Sequence, residues 1–227
     1  MDWFSIFGTI AYWLSVIGAV ISIFYYSKFT DTEKKFVHYI VLGAVFEIIS
    51  IVFLTYMKSG VLEEWGIKNT LPGLHLFTLM QYIFLCIFFH DLLKRYGRSF
   101  SLILFLVIGS ALIITNSVLI QSIYEYCSYS KVAVELFIII ASIAYFILVF
   151  LKKEVSSDDS VITLFVSAVF INAGMSILLH LFSNEIMALK EEITMALWSI
   201  RSAVNVITQV IIFYGIYLVL LKREAYG

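Results

Sequence analysis

TMALWSIRSAVNVITQVIIFYGIYLVLL, residues 194–221, decides the class of fold: 28 residues with a single charge, Arg201. A helix rises 1.5 Å per residue, so about 20 apolar residues cross the hydrocarbon core of a bilayer. The stretch is long enough to span and lacks the strict alternation of a barrel strand. The rest of the chain is similar, with 62% of its 227 residues hydrophobic and 14% charged, and a mean hydropathy of +0.99. A soluble domain of this size carries nearer a quarter charged residues. The lipid bilayer is thus the surrounding medium. The net charge of −1 says nothing about partners, but the lack of a basic patch with interleaved aromatics excludes nucleic acid.

Working outward from the last span, seven apolar segments emerge, at about 3–26, 36–57, 72–93, 100–121, 130–151, 161–183 and 194–221. Short polar breaks separate them, and Pro72, the one proline, sits where a helix starts, after Asn69 and Thr70 as candidate caps. The expectation is an all-α polytopic membrane protein: one seven-transmembrane-helix bundle over residues 1–227, with no soluble domain. The first segment lacks a positive n-region and a small-residue cleavage site, which reads as a retained helix rather than a signal peptide. Cys86 in a span and Cys127 in a loop lie at different depths and read as free thiols.

Basic residues set the expected orientation. Lys58, Lys68, Lys131 and Lys190 fall on the side of the N-terminus. Lys28, Lys34, Lys35, Lys94, Arg95, Arg98, Lys152, Lys153, Lys222 and Arg223 fall on the other. Positive residues stay cytoplasmic, so the N-terminus is expected outside and the C-terminus in the cytoplasm. GAVFEIIS (43–50) resembles SAVFINAG (167–174), and LLKR recurs at 92–95 and 220–223. The offsets suit a 3+1+3 arrangement of two parallel repeats.

Polar groups inside spans are costly and are the candidate site. Arg201, Asn205 and Gln209 are spaced one turn apart and share a stripe of the last helix, with Trp198 and Thr208 on the same face. Asn172, Ser176, His180 and Ser183 do the same in the sixth span, and Glu135 and Ser142 in the fifth. Glu47 lies near the middle of the second span. The third carries His75 and Gln81, about 120° apart on the helix, and His90 near its end. With alternating directions, His75, Glu135, His180 and Arg201 fall in the outer half, and Glu47, Gln81, Asn172, Asn205 and Gln209 near the centre. The sum is a polar seam opening outward, holding two carboxylates against one arginine. Arg201 is expected to meet Glu135 or Glu47, leaving the other to a proton, an ion or a ligand. For single Ser, Thr or Asn residues, interhelical hydrogen bonding is the alternative role, above all for Asn172 and Gln209.

Several chemistries lack their residues. Retinal needs a Schiff-base lysine in the last span, and residues 194–221 contain none. No zinc-spaced Cys/His set, Walker loop or G-x-S-x-G occurs, so no cofactor or metal is expected and no catalytic set stands out. The length, LHLFTLMQY (74–82), VAVEL (132–136) and LWSIRSAVNV (197–206) resemble a group of seven-helix integral proteins of bacterial inner membranes. In that group histidine often stands at position 201 and glutamate at 81, while Ser202 and Asn205 fit the pattern. The resemblance implies a single site at positions 75, 81, 135, 201 and 205 and brings no activity with it. The reading is a receptor-like or sensor-like module that binds a proton, ion or small polar ligand and signals through a membrane partner or a homo-oligomer. A small transporter or channel is the alternative, and an intramembrane lipid-modifying enzyme the third.

Overall fold

A computed structural model describes residues 3–58, 69, 71–98, 100–151, 157–187 and 189–224, and among them there is no strand. Seven helices are long and apolar enough to cross a membrane, the make-up of a multi-pass helical bundle. They are α1 (Trp3–Phe24), α2 (Asp31–Lys58), α3 (Leu71–Arg95), α4 (Leu102–Thr115), α5 (Ser128–Leu151), α6 (Ser157–Leu181) and α7 (Glu191–Glu224). A wider π turn, Asn116–Ile120, prolongs α4, and a one-turn helix, Ser183–Met187, precedes α7.

Local chemistry sets the ends. Thr30 and Glu33 form a reciprocal capping box at the start of α2: the Thr30 N–H donates to Glu33 Oε2 (2.7 Å), and the Glu33 N–H donates to Thr30 Oγ1 (3.4 Å). Asn69 Oδ1 accepts from the Leu71 N–H at 3.1 Å, so Asn69 caps α3 and Pro72 sits in its first turn, while Thr70 lies outside the described residues. α3 ends at Gly97, whose φ of +70° suits a residue without Cβ. There Arg98 N–H bonds Leu93 O and Gly97 N–H bonds Lys94 O, closing a Schellman turn. Three spans begin three or more residues before the sequence expectation, α2 at Asp31, α6 at Ser157 and α7 at Glu191, and acidic first-turn residues favour the early starts of α2 and α7.

Packing between neighbours traces a ring. α1 packs on α2, α2 on α3, α3 on α5, α5 on α6, α6 on α7, and α7 back on α1. α4 stands outside it against α3, with Ile103, Val107, Leu112, Val118 and Leu119 between 62% and 77% exposed. The α3–α4 contact is built on a missing side chain: a Cβ on Gly109 would collide with Tyr82 Oη, which donates to the Phe105 carbonyl at 2.6 Å. Gly109→Ala is therefore expected to cost about 2 kcal/mol by overpacking. Gly73→Ala, with nothing within 4 Å of the new Cβ, should be near neutral in the same chemical denaturation series.

At the end of the bundle that carries residues 24, 31, 95, 151 and 157, the core is aromatic and tight. Phe36 stacks on Phe165 (4.5 Å between centroids) and tilts against Phe88 (5.1 Å), and all three are fully buried with Ile162 and Leu92. Toward the other end the ring is hollow.

Candidate functional site

Six of the seven helices wall one cavity of about 970 Å³, and α4 contributes nothing to it. Its lining comes from the half of the bundle that carries residues 3, 71, 128 and 181. Ile40, Ile138, Val169 and Ile212 lie deepest, above the Phe36–Phe165 stack. The cavity is thus a blind pit. Gly8, Gly43 and Gly73 line it on α1, α2 and α3, each with nothing within 4 Å of a would-be Cβ, so the absence of side chains there leaves room.

The structure places eight of the nine candidate residues on this one wall: Glu47, Gln81, Glu135, Asn172, His180, Arg201, Asn205 and Gln209. His75 is the exception. It is buried, but its ring bonds Ser117 Oγ (2.7 Å) and the Glu125 carbonyl (3.0 Å), pinning the segment between α4 and α5. The 120° between His75 and Gln81 on α3 accounts for the divergence. His90 lies half-buried at the far end against Phe100. Ser142 and Ser183 are buried away from the cavity, and Trp198 packs edge-on to Tyr126 (6.1 Å) rather than lining it.

Arg201 meets neither carboxylate first. Its Nε donates to His180 Nε2 at 3.1 Å, and His180 Nδ1 pairs with Glu135 Oε1 at 2.5 Å. This corrects the expected direct Arg–Glu pair; the close packing of α5 on α6 and α6 on α7 brings His180 between the two. The geometry fixes the imidazole chemistry. A nitrogen that accepts from a guanidinium carries no proton, so His180 is neutral, protonated on Nδ1, and donates to Glu135. Tyr126 and Trp198 lie over this triad, with ring centroids 5.8 and 6.5 Å from His180. Arg201 also sits 5.7 Å from the Trp198 ring.

Lys131 is the residue that sequence reading missed. Assigned to the outer loop, it instead lies in the first turn of α5, 6% exposed, and lines the cavity. Its ammonium donates to Gln81 Oε1 at 3.1 Å and lies 4.8 Å from the Phe77 ring. The signal was present: Lys131 and Glu135 are four residues apart, on one helix face. The count of two carboxylates against one arginine is corrected accordingly. The cavity holds two of each sign, Glu47 and Glu135 with Lys131 and Arg201.

Unmet bonding capacity remains. Oε2 of Glu47 and of Glu135 are buried without a hydrogen-bond partner, although the Glu47 carboxyl touches the Ser15 hydroxyl on α1. Asn172 Oδ1 accepts from Ser176 Oγ (3.3 Å), whereas Asn205 and Gln209 face the cavity with no side-chain partner among the described residues. Both cysteines are free and buried, as expected. Burial pushes the Cys127 thiol above its ordinary range, so it stands as a thiol at neutral pH. Among the described residues no three His, Cys, Asp or Glu side chains are grouped to hold a metal.

A multi-pass helical bundle whose cavity carries charged and polar groups on a largely apolar wall is what fold and site define. No family model, curated protein or solved structure matches the chain.

Proposed function

We propose that the protein is a receptor-like or sensor-like module of a bacterial inner membrane, with its N-terminus outside, its C-terminus in the cytoplasm and its cavity open to the outside. The blind shape carries this reading: a charged pit that ends on a stacked aromatic floor holds a ligand better than it passes one. Four charged groups in a low-dielectric interior need a reason to be there, and unpartnered carboxylate oxygens and amides supply bonding capacity for a polar guest. The asymmetry of basic residues supports the orientation, and removing Lys131 from the outer loops sharpens it. α7 offers the output route, since it carries Arg201 and Asn205 in the cavity and continues without a break to the opposite end. A ligand that shifts α7 against α6 would present a changed surface to a membrane partner.

The second reading, a small transporter, draws on the ring order. Helices α1–α3 and α5–α7 follow one another around the cavity with α4 outside, as two parallel repeats would, and ion-coupled sites commonly lie between repeats.

One pair of measurements separates the readings. In Gly43→Cys, a membrane-impermeant maleimide is expected to label intact spheroplasts and not inverted vesicles, against a low background because Cys86 and Cys127 are buried. Purified protein in liposomes is expected to carry no proton or sodium flux above that of empty liposomes. Labelling from both faces, or flux that collapses in Arg201→Ala, would favour transport. No labelling from either face would make the seam structural and end both readings.

A further inference from the structure

The Arg201–His180–Glu135 triad satisfies its own charges, and what it leaves over points to the ligand. Lys131 on α5 and Glu47 on α2 make no ion pair within 4 Å among the described residues, although the charge of Glu135, one turn along α5, reaches Lys131. They stand on separate walls with α3 between them, where Gln81 accepts from Lys131 and engages Tyr39, the neighbour of Glu47. An isolated charge of either sign is expensive inside a membrane protein. A guest with one charge would answer only one of them. A guest carrying both an anion and a cation would answer both.

A second observation concerns access. From Ile48 to Thr55 every residue of α2 is exposed, a run of about two turns. Across from it, Phe4, Ser5, Thr9 and Trp13 of α1 line the cavity and are also exposed, Trp13 by 55%. Ile51 of α2, 45% exposed, does the same. Exposed, mainly apolar side chains on this part of the cavity wall are what a side slot between the two helices would leave. A water-soluble zwitterion would satisfy the charges and leave this apolar channel without an occupant.

We infer that the cavity takes an amphiphile with a zwitterionic head, entering from the membrane through the α1–α2 slot, its anion set against Lys131, its cation against Glu47, and its hydrocarbon chain lying in the slot. This rests on the cavity being the binding site. The test uses full-length protein in maltoside, with melting temperature and native mass spectrometry as readouts. Three probes are compared: lysophosphatidylethanolamine, lysophosphatidylglycerol with the same chain, and phosphoethanolamine, the head without a chain. The first is expected to raise the melting temperature by about 5 °C near saturation and to remain bound in the gas phase, and the other two by far less. Glu47→Gln and Lys131→Met should each weaken binding at least about tenfold, the loss of one charge-assisted contact. Gly43→Leu, whose new side chain enters open space, should fold and lose the shift. Equal shifts from both lysolipids would overturn selection of a zwitterion. An equal shift from phosphoethanolamine would overturn the amphiphile while leaving the cavity as the binding site. A lipid shift that survives Gly43→Leu, or no shift from any probe, would overturn the inference, and maleimide labelling would then decide separately whether the cavity receives a ligand at all.

Discussion

His180→Leu is expected to lower stability by about 3 kcal/mol, close to 10 °C in melting temperature for a chain of this size. Leucine fills much of the space but neither accepts from Arg201 nor donates to Glu135, so one substitution strands the buried Glu135 and the half-buried Arg201. His180→Gln tests the cause. Its amide has an acceptor and a donor, can serve both neighbours, and should recover at least half of the loss. Equal losses in the two variants would assign the effect to packing against Tyr126 and Trp198. No loss in either would mean that the triad contributes nothing to holding α5, α6 and α7 together. Thermal and denaturant unfolding in detergent, read by tryptophan fluorescence, gives both numbers.

Gly215→Leu is expected to be comparably severe, at about 3 kcal/mol, for the opposite reason. A Cβ at this point of α7 would lie 2.6 Å from Cε1 of Phe165, a fully buried ring with Phe36 stacked on its face. The helix cannot stay where it is and the ring has nowhere to go. In a double-mutant cycle, Phe165→Leu should return much of the stability lost in Gly215→Leu, a coupling that distant sites do not show. Additive losses would place the strain elsewhere.

The seven helices were legible because membrane spans depend on length and apolarity, which a sequence states directly. The stripe from Arg201 to Gln209 was legible for a related reason: a helix turns every 3.6 residues, so spacing alone places polar groups on one face. Contacts between helices were another matter. That His180 would stand between Arg201 and Glu135 depends on how α6 lies against α5 and α7, and no periodicity within one helix encodes that. Lys131 was lost at a boundary. A lysine one turn inside an apolar segment counts as a loop residue in a charge tally, yet its long side chain can reach back into the bundle. Its i, i+4 relation to Glu135 was the available cue. Gly43 and Gly109 show the same limit from another side. In sequence both are small residues in apolar helices, whereas in space one faces a void and the other a tyrosine ring.

α4 has a consequence for how the molecule is put together. It walls no part of the cavity and touches the ring through α3 and, by way of the π turn, through Ser130 of α5. Three helices make an odd number of crossings, and a further trio joined directly to the first would run in the opposite sense. One extra crossing restores the sense. On the proposal of two parallel repeats, α1–α3 and α5–α7 would meet as like halves with the pocket at their seam. α4 would then be a spacer needed for its crossing, with Gly109 keeping a gap for Tyr82.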